Sequence, residues 1–219
     1  MLPVSKPMTL AQFLAWEERQ ELRFEFDGVR PIERLSGTVA HAHIQTNLAV
    51  AIGGRLRASS CHFYGSNLKI QVARDHIRYP DAFVTCAPGK NDSTVVSEPV
   101  IIFEIISPDT TRVDRYAKAL EYQATPSVRR YVILEQDSIN ATVYVRSGNA
   151  WTHEILIADS ILALPEIGVE LPLAELYDGI VFETKQDADR TPTASPPDRD
   201  FSDARRQAGR GQEPAAFDP

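Results

Sequence analysis

The spacing of hydrophobic and polar positions divides the first quarter of the chain into a helix, a hairpin and a second helix. The segment "MTLAQFLAWEERQ" carries apolar residues on one helical face, and Thr9 and Gln12 fit a capping box at its start. Two short extended runs then flank Asp27-Gly28, a dipeptide that is the strongest short-range signal for a β-hairpin. Residues 39–56 have apolar side chains at every fourth position and predict the second helix.

The middle of the chain changes to the two-residue alternation of β-strands. Residues 62–72, "HFYGSNLKIQV", predict a hairpin, and residues 81–86, "DAFVTC", predict a further strand. Residues 100–106, "VIIFEII", are apolar on both faces, which is typical of a central strand covered on each side. The one charged residue within this strand is Glu104.

A helical pattern returns once after this strand and then gives way to strands. Residues 113–123 predict a helix that packs through Val113, Ala117 and Leu120. "RRYVILEQ" predicts a buried strand, and "NATVYVRSGNAWTHEILI" predicts a late hairpin. The order of these elements indicates an α/β (α+β) fold with a mixed central sheet flanked by helices.

Composition divides the chain into one domain, residues 1–184, and a tail, residues 185–219. The tail is rich in Pro, Asp and Arg and poor in large aliphatic residues, so we predict that it is disordered. Cys61 and Cys86 are too few for a disulfide framework and predict buried thiols of a cytoplasmic protein. No apolar run approaches the ~20 residues that span a bilayer, so we expect no membrane segment.

The overall charge and the missing motifs exclude several classes of function. The formal net charge is −7, so bulk positive charge does not hold this protein on nucleic acid. The sequence contains no P-loop, no G-x-G-x-x-G, no G-x-S-x-G and no Cys/His pairs with finger-like spacing. A nucleic-acid role would therefore rest on a local basic patch or on a metal ion.

The glutamate inside the central strand is the strongest candidate for chemistry. An ionised carboxylate in an apolar interior costs several kcal/mol unless a cation, a donor or a metal compensates it. Asp81 opens the strand "DAFVTC", so pairing of that strand with the central one would bring its carboxylate to Glu104. Mg²⁺ suits such a pair. A structural ion pair of Glu104 with Arg112 or Arg115 is the alternative.

Several segments together resemble the Uma family of restriction endonucleases, within the PD-(D/E)xK nuclease superfamily. The segments are "FEFDG" at 24–28, "HAHIQTNL" at 41–48, "YPDAFV" at 79–84, "EIISPDTTRVDRYAKALEY" at 104–122 and "VRRYVIL" at 128–134. Their order and spacing carry the resemblance, which spans about residues 8 to 182. It implies a restriction-endonuclease-like fold and a metal-dependent hydrolase that acts on DNA.

The resemblance also implies a set of site residues. Asp81 and Glu104 would hold Mg²⁺ or Mn²⁺, with the carbonyl of Ile105 as a third ligand. The lysine of the superfamily stands two residues after the glutamate, where this chain has Ile106. In the pattern of the Uma family the lysine comes from the following helix, which makes Lys118 the charge-stabilising residue.

Two interpretations of Lys118 stay open. The resemblance makes it catalytic, because its helix starts just past the strand that carries Glu104. The helical pattern instead places Lys118 on a polar stripe with Asp114 and Tyr122, where an exposed Asp114–Lys118 pair is worth about 0.3–0.5 kcal/mol. Lys69, on a neighbouring strand, is a poorer substitute.

Accessory roles are open for Glu25, His43 and Tyr122. Alternation with two phenylalanines favours a solvent-facing Glu25, whereas the resemblance would make it a third acidic group. His43 matches a histidine of the family pattern and would contact phosphate or a metal-bound water. A local hydrogen bond near the helix start is the alternative. Arg129 and Arg130 are expected to border a strand rather than to meet phosphate.

Three classes of function follow from these residues. The first is a Mg²⁺-dependent endonuclease that acts on DNA, and a single domain that cuts both strands would work as a homodimer. The second is a catalytically degenerate module that binds nucleic acid or protein on the same fold, which Ile106 and the acidic balance favour. The third is a structural protein with an ion-paired core.

Overall fold

The structure is a computed structural model that describes residues 7–34, 37–87, 89–106 and 112–182, with the backbone alone at 112–115. The tail predicted at 185–219 lies outside the described residues. Within the described ranges, no helix is long and apolar enough to cross a membrane.

Strands dominate the described part of the chain. In chain order the elements are α1 (Leu10–Glu17), β1 (Phe24–Phe26), β2 (Pro31–Glu33), α2 (Val39–Leu48), β3 (His62–Gly65), β4 (Lys69–Val72), β5 (His76–Arg78), β6 (Ala82–Thr85), β7 (Val95–Val96), β8 (Pro99–Ile106), α3 (Arg112–Ala124), β9 (Arg130–Glu135), β10 (Asn140–Ser147), β11 (Ala150–Ile157), β12 (Ile161–Leu164) and β13 (Val169–Pro172). Short 3₁₀ turns follow β12 and β13.

The first helix begins with the predicted capping box. Thr9 Oγ1 accepts the N–H of Gln12 at 3.3 Å, and Gln12 Oε1 accepts the N–H of Thr9 at 2.8 Å. These two bonds satisfy N–H groups that the first turn of a helix leaves without partners. The buried ring of Phe13 stacks on Phe26 of β1, with 4.7 Å between ring centroids, and so attaches α1 to the sheet.

The second predicted helix is confirmed with a change in its last turns. Thr38 caps α2, which buries Ile44 and Leu48, and a wider π-helical turn continues it over Ala49–Gly53. π-helical segments are rare and occur mostly as single turns within α-helices. It keeps Ile52 in the core.

Six strands form a mixed central sheet, as predicted. Their order is β11-β10-β9-β8-β6-β3, and β8 runs parallel to β9 while the other neighbours are antiparallel. The late hairpin of β10 and β11 turns at Gly148, whose φ of +60° suits glycine. The strand that carries Glu104 is central in this sheet.

Five strands form a second sheet, in the order β2-β1-β5-β4-β7, and β12 pairs with β13 separately. The hairpin of β1 and β2 turns at Asp27-Gly28, as predicted. Gly28 has a φ of +86°, and Asp27 Oδ1 accepts the N–H of Arg30 at 2.6 Å. This hairpin places β1 beside β5, which is essential for the site described below.

The hairpin predicted over residues 62–72 is wrong. β3 pairs with β6 in the six-stranded sheet, whereas β4 pairs with β5 in the five-stranded sheet. Phe63 packs on the core beneath α2, and Ile70 belongs to the core beneath α3. Alternation identified both strands, but the partner of each depends on which core its apolar side chains enter.

The central strand is buried on both faces, with a different core on each. Ile101 and Phe103 enter the core on the α2 side, and Ile102 and Ile106 enter the core on the α3 side. Successive side chains of a strand point to opposite faces, so Glu104 lies on the α3 side. Its carboxylate is therefore enclosed between the six-stranded sheet and α3.

The predicted inward face of the third helix is wrong. Ala119 and Tyr122 are buried, whereas Leu120 is 48% exposed and Ala117 is also exposed. The side chain of Val113 lies outside the described residues. The prediction assigned the inward face by apolarity, whereas the polar Tyr122 turns inward because it has a charged partner there.

The prediction of two free thiols is also wrong, because Cys61 and Cys86 form a disulfide. His62 of β3 pairs with Thr85 of β6, and one further step of this antiparallel register places the two cysteines opposite each other. The pairing of β3 with β6 was not predicted, so this proximity could not be predicted either. The disulfide joins the end of β6 that is remote from Asp81.

Candidate active site

The register of β6 and β8 brings the two predicted carboxylates together. Ala82 pairs with Phe103 across this antiparallel pair, and one step further Asp81 stands opposite Glu104. Directly opposed residues of an antiparallel pair point to the same face of the sheet. The N–H of Ile105 donates to Asp81 Oδ2 at 2.8 Å, which fixes the aspartate against β8.

Asp81 is held by three further polar groups. Arg34 Nη2 donates to Asp81 Oδ1 at 2.9 Å, His41 Nε2 lies 3.1 Å from the same oxygen, and Gln45 Nε2 donates to the Asp81 carbonyl at 2.8 Å. Burial raises the pKa of Asp81. The hydrogen bond and charge of His41, the amide of Ile105 and the charge of Arg34 together lower this pKa by more than burial raises it. The net pKa is below its usual value, so Asp81 is ionised at neutral pH.

Glu104 is compensated by an ammonium group and a hydroxyl group. Lys118 Nζ lies 3.1 Å from Glu104 Oε1, and the Tyr122 hydroxyl donates to the same oxygen at 2.6 Å. Burial raises the pKa of Glu104 above its usual value, and the nearby Asp81 charge raises it as well. The alternative ion pair with Arg112 or Arg115 lies outside the described side chains.

The side chain of Lys118 points into the site. Its Nζ contacts Glu104 and also lies 3.4 Å from Glu25 Oε1. Burial lowers the pKa of Lys118, but the two carboxylates raise it by more, so the amine stays protonated. The position of the amine agrees with the interpretation in which Lys118 reaches the site from its helix. Asp114, its proposed surface partner, has no described side chain.

Glu25 is the third acidic group near this lysine, and its predicted solvent-facing position is wrong. The residue is 7% exposed, and its Oε1 accepts the N–H of Tyr79 at 3.1 Å. Phe26 packs on α1, so the alternation of β1 turns Glu25 toward α3. The alternation was correctly recognised, but both faces of this short strand are covered.

The histidine beside the site is His41 and not His43. His43 is exposed and lies near the backbone of Gly179, whereas His41 Nε2 lies 3.1 Å from Asp81 Oδ1. His41 and Gln45 are four residues apart on α2, so they share one face of this helix. That spacing is a signal that could have selected His41. Nothing in the sequence distinguishes Arg34 from the other arginines.

Two other basic residues have structural partners away from the site. The ammonium group of Lys69 bonds to Glu17 of α1, so it does not replace Lys118. Arg130 forms two hydrogen bonds with Glu166, at 3.0 and 3.1 Å, and borders β9 as expected.

The oxygen donors of the two carboxylates suit a hard divalent cation. Among the described residues, no cluster of three or more His, Cys, Asp or Glu side chains forms a ready metal centre. Mg²⁺ needs only one or two carboxylates because it retains several waters. A carboxylate has about four lone-pair sites. Asp81 uses three of these sites on Arg34, His41 and Ile105. The acidic pair of Asp81 and Glu104 therefore retains lone pairs that could bind a cation.

The six-stranded mixed sheet flanked by helices agrees with the restriction-endonuclease-like fold expected from the sequence, and it presents Asp81 and Glu104 on neighbouring strands. Residues 10–174 match the family model Uma2, described as "Putative restriction endonuclease". The chain therefore belongs to the Uma2 family.

Two relatives and a solved structure are similar to most of this chain. An uncharacterized protein of Synechocystis is 28% identical over 174 residues, which are 78% of this chain and 92% of that protein. A second uncharacterized Synechocystis protein is 22% identical over 153 residues, 68% of this chain and 86% of the other. A crystal structure described as "a putative nuclease belonging to DUF820", from Anabaena variabilis, has a TM-score of 0.67 at 19% identity. It covers 78% of this chain and 98% of its own, and it shows the same fold.

Proposed function

We propose that the protein is a Mg²⁺-dependent endonuclease, also active with Mn²⁺, that hydrolyses phosphodiester bonds in DNA. The observation that carries this proposal is the meeting of three groups at one point. Asp81 stands opposite Glu104 across neighbouring strands, and Lys118 Nζ lies 3.1 Å from Glu104 Oε1. Membership of the Uma2 family, described as "Putative restriction endonuclease", supports a nuclease rather than another hydrolase.

Asp81 and Glu104, with the carbonyl of Ile105, would hold the metal ion. A bound Mg²⁺ would polarise a phosphoryl oxygen and lower the pKa of a coordinated water. The protonated Lys118 would donate hydrogen bonds to the oxygen on which negative charge develops. These donors and charges are in place before the substrate arrives, so little reorganisation accompanies the reaction.

The surrounding residues hold the acidic pair in position. Arg34 and His41 fix one oxygen of Asp81, and the Ile105 amide fixes the other. Tyr122 donates to Glu104, and its pKa lies well above its usual value because of burial and the adjacent carboxylates. It therefore remains a hydroxyl donor at neutral pH.

A binding module without catalysis is the second candidate. Both carboxylates already have cationic neighbours, Lys118 for Glu104 and Arg34 for Asp81, and Ile106 occupies the usual position of the lysine. Such a module would bind DNA or protein on the same fold. For cleavage of both strands we propose that the protein acts as a homodimer.

Cleavage of a supercoiled plasmid tests the proposed activity. We expect the wild type to nick and linearise the plasmid with Mg²⁺ or Mn²⁺ but not with EDTA, and Glu104→Ala to leave it intact, because one ligand of the cation is lost. Glu166→Ala, which removes a carboxylate remote from the site, is the control. Equal cleavage by wild type and Glu104→Ala would contradict the assignment of this site. Metal binding without any cleavage would favour the binding module.

A further inference from the structure

Four alternating charges connect α3 to the five-stranded sheet beside the proposed site. Lys118 Nζ lies 3.4 Å from Glu25 Oε1, and Glu25 Oε2 lies 3.7 Å from Arg78 Nη1. Arg78 then binds both oxygens of Glu121, with Nε at 2.7 Å and Nη2 at 2.6 Å. We call Glu25, Arg78, Lys118 and Glu121 the charge quartet. Its formal charges sum to zero.

Strand pairing and helix periodicity explain how the four residues of the charge quartet come together. Phe26 pairs with Ile77 across β1 and β5, and one further step places Glu25 opposite Arg78 on the same face. Lys118 and Glu121 are three residues apart and so lie on one face of α3. Glu25 of the sheet therefore faces Lys118 of the helix, and Arg78 of the sheet faces Glu121 of the helix. Each contact joins two charges of opposite sign.

Three members of the charge quartet are enclosed, and the fourth, Lys118, has a side chain that is 28% exposed. The side chain of Arg78 is 5% exposed, that of Glu25 is 10% exposed and that of Glu121 is 13% exposed. Arg78 also donates to the carbonyl of Phe26 at 3.1 Å. A bidentate Arg–carboxylate pair has a fixed planar geometry, unlike a single-point lysine contact. The Arg78–Glu121 pair therefore fixes the rotation of α3 against the sheet.

A lysine that reaches the site from a helix needs such a restraint. A lysine on the central strand would be positioned by the sheet itself, but Ile106 occupies that place. The ammonium group of Lys118 instead lies at the end of a flexible four-carbon side chain on α3. This helix packs on the sheet through the buried residues Ala119 and Tyr122. Small errors in the placement of a catalytic group are costly, because a shift of about 1 Å can reduce a rate by about 10²-fold.

We propose that the charge quartet positions Lys118 for catalysis, with Arg78 and Glu121 as positioning residues that do not touch the substrate. The inference rests on the proposed nuclease function. Glu25 restrains the ammonium group directly, and Arg78 restrains Glu25 while its bond to Glu121 holds the helix. The competing explanation is that the four charges only attach α3 to the sheet.

Glu121→Gln separates these explanations by cleavage kinetics. We expect kcat for plasmid cleavage to fall by about tenfold or more with KM unchanged, since misplacement of the lysine affects the transition state. In a Lys118→Met background the same substitution should have no further effect on kcat, because the group that it positions is gone. An unchanged kcat, or an equal fall in both backgrounds, would overturn the proposal.

Glu166→Gln is the matched control for this experiment. It also removes one charge from a bidentate Arg–Glu pair, that of Arg130 and Glu166, on β9 and remote from the site. We expect a similar loss of stability in urea unfolding but no change in kcat per folded molecule. A fall in kcat that equals the fall in Glu121→Gln would assign both effects to stability and overturn the proposal.

A measurement that does not require activity completes the test. The ¹⁵N signal of the Lys118 ammonium group, assigned by its disappearance in Lys118→Met, should shift or broaden in Glu121→Gln and stay unchanged in Glu166→Gln. A signal unchanged in both would contradict positioning by the charge quartet, even if cleavage is observed. Absent cleavage in the wild type together with the expected shift would instead overturn the proposed function and retain the restraint on the lysine.

Discussion

Replacement of Lys118 by methionine is expected to lower the rate of DNA cleavage by roughly 10²–10³-fold, the usual effect of removing one donor that stabilises developing charge. Methionine keeps an unbranched stem of similar length but has no charge. The protonated amine lies 3.1 Å from Glu104, so under the proposed mechanism it would donate to a phosphoryl oxygen of DNA bound beside that carboxylate. We therefore expect the effect to appear in kcat and to leave binding of the metal intact.

Initial rates of plasmid cleavage under excess Mg²⁺ check this expectation. Lys90→Met is the control, because Lys90 is an exposed loop residue and its removal changes the net charge by the same amount. A cleavage rate of Lys118→Met within twofold of the wild-type rate would show that this lysine is structural. Lys118 would then serve only to compensate the charge of the buried Glu104.

Replacement of Lys69 by methionine is expected to lower the free energy of unfolding and to leave the rate of cleavage unchanged, the opposite of the effect expected for Lys118→Met. Lys69 and Glu17 are 5% and 7% exposed and form an ion pair between β4 and α1. Removal of one partner of a buried pair leaves the other charge uncompensated and costs about 3–5 kcal/mol. The Tyr79 hydroxyl donates to Glu17 at 2.8 Å and compensates only part of that charge. Cleavage per folded molecule should stay at the wild-type level.

Urea unfolding monitored by circular dichroism measures this loss of stability. The double variant Glu17→Gln/Lys69→Met should be more stable than Lys69→Met alone, since glutamine removes the uncompensated charge and still accepts from Tyr79. A Lys69→Met variant whose free energy of unfolding differs from that of the wild type by less than about 0.5 kcal/mol would contradict this account.

Local sequence patterns predicted elements well, and they failed where partners lie far apart in the chain. The capping box at Thr9 and the turn at Asp27-Gly28 depend on residues within four positions, and both occur as predicted. The partner of β3 is β6, which starts seventeen residues after β3 ends, and no local signal specifies that pairing. The disulfide of Cys61 and Cys86 depends on the same pairing, so it was missed for the same reason.

The predicted acidic pair depended on one correct pairing, that of β6 with β8. The residues around that pair were less predictable, because polarity was taken as a sign of exposure. Glu25, Lys118 and Tyr122 are polar and yet turn inward, where each has a charged or hydrogen-bonded partner from another element. Apolar periodicity cannot distinguish such residues from a solvated face.

Binding of Mn²⁺ followed by electron paramagnetic resonance tests most directly whether Asp81 and Glu104 share one divalent cation. The account predicts one bound ion per wild-type chain, and an affinity at least tenfold weaker in both Asp81→Asn and Glu104→Gln, with Glu166→Gln binding as the wild type does. Each substitution keeps the size of the side chain and removes the charge that a hard cation requires. Affinities of Asp81→Asn and Glu104→Gln equal to that of the wild type would contradict the account.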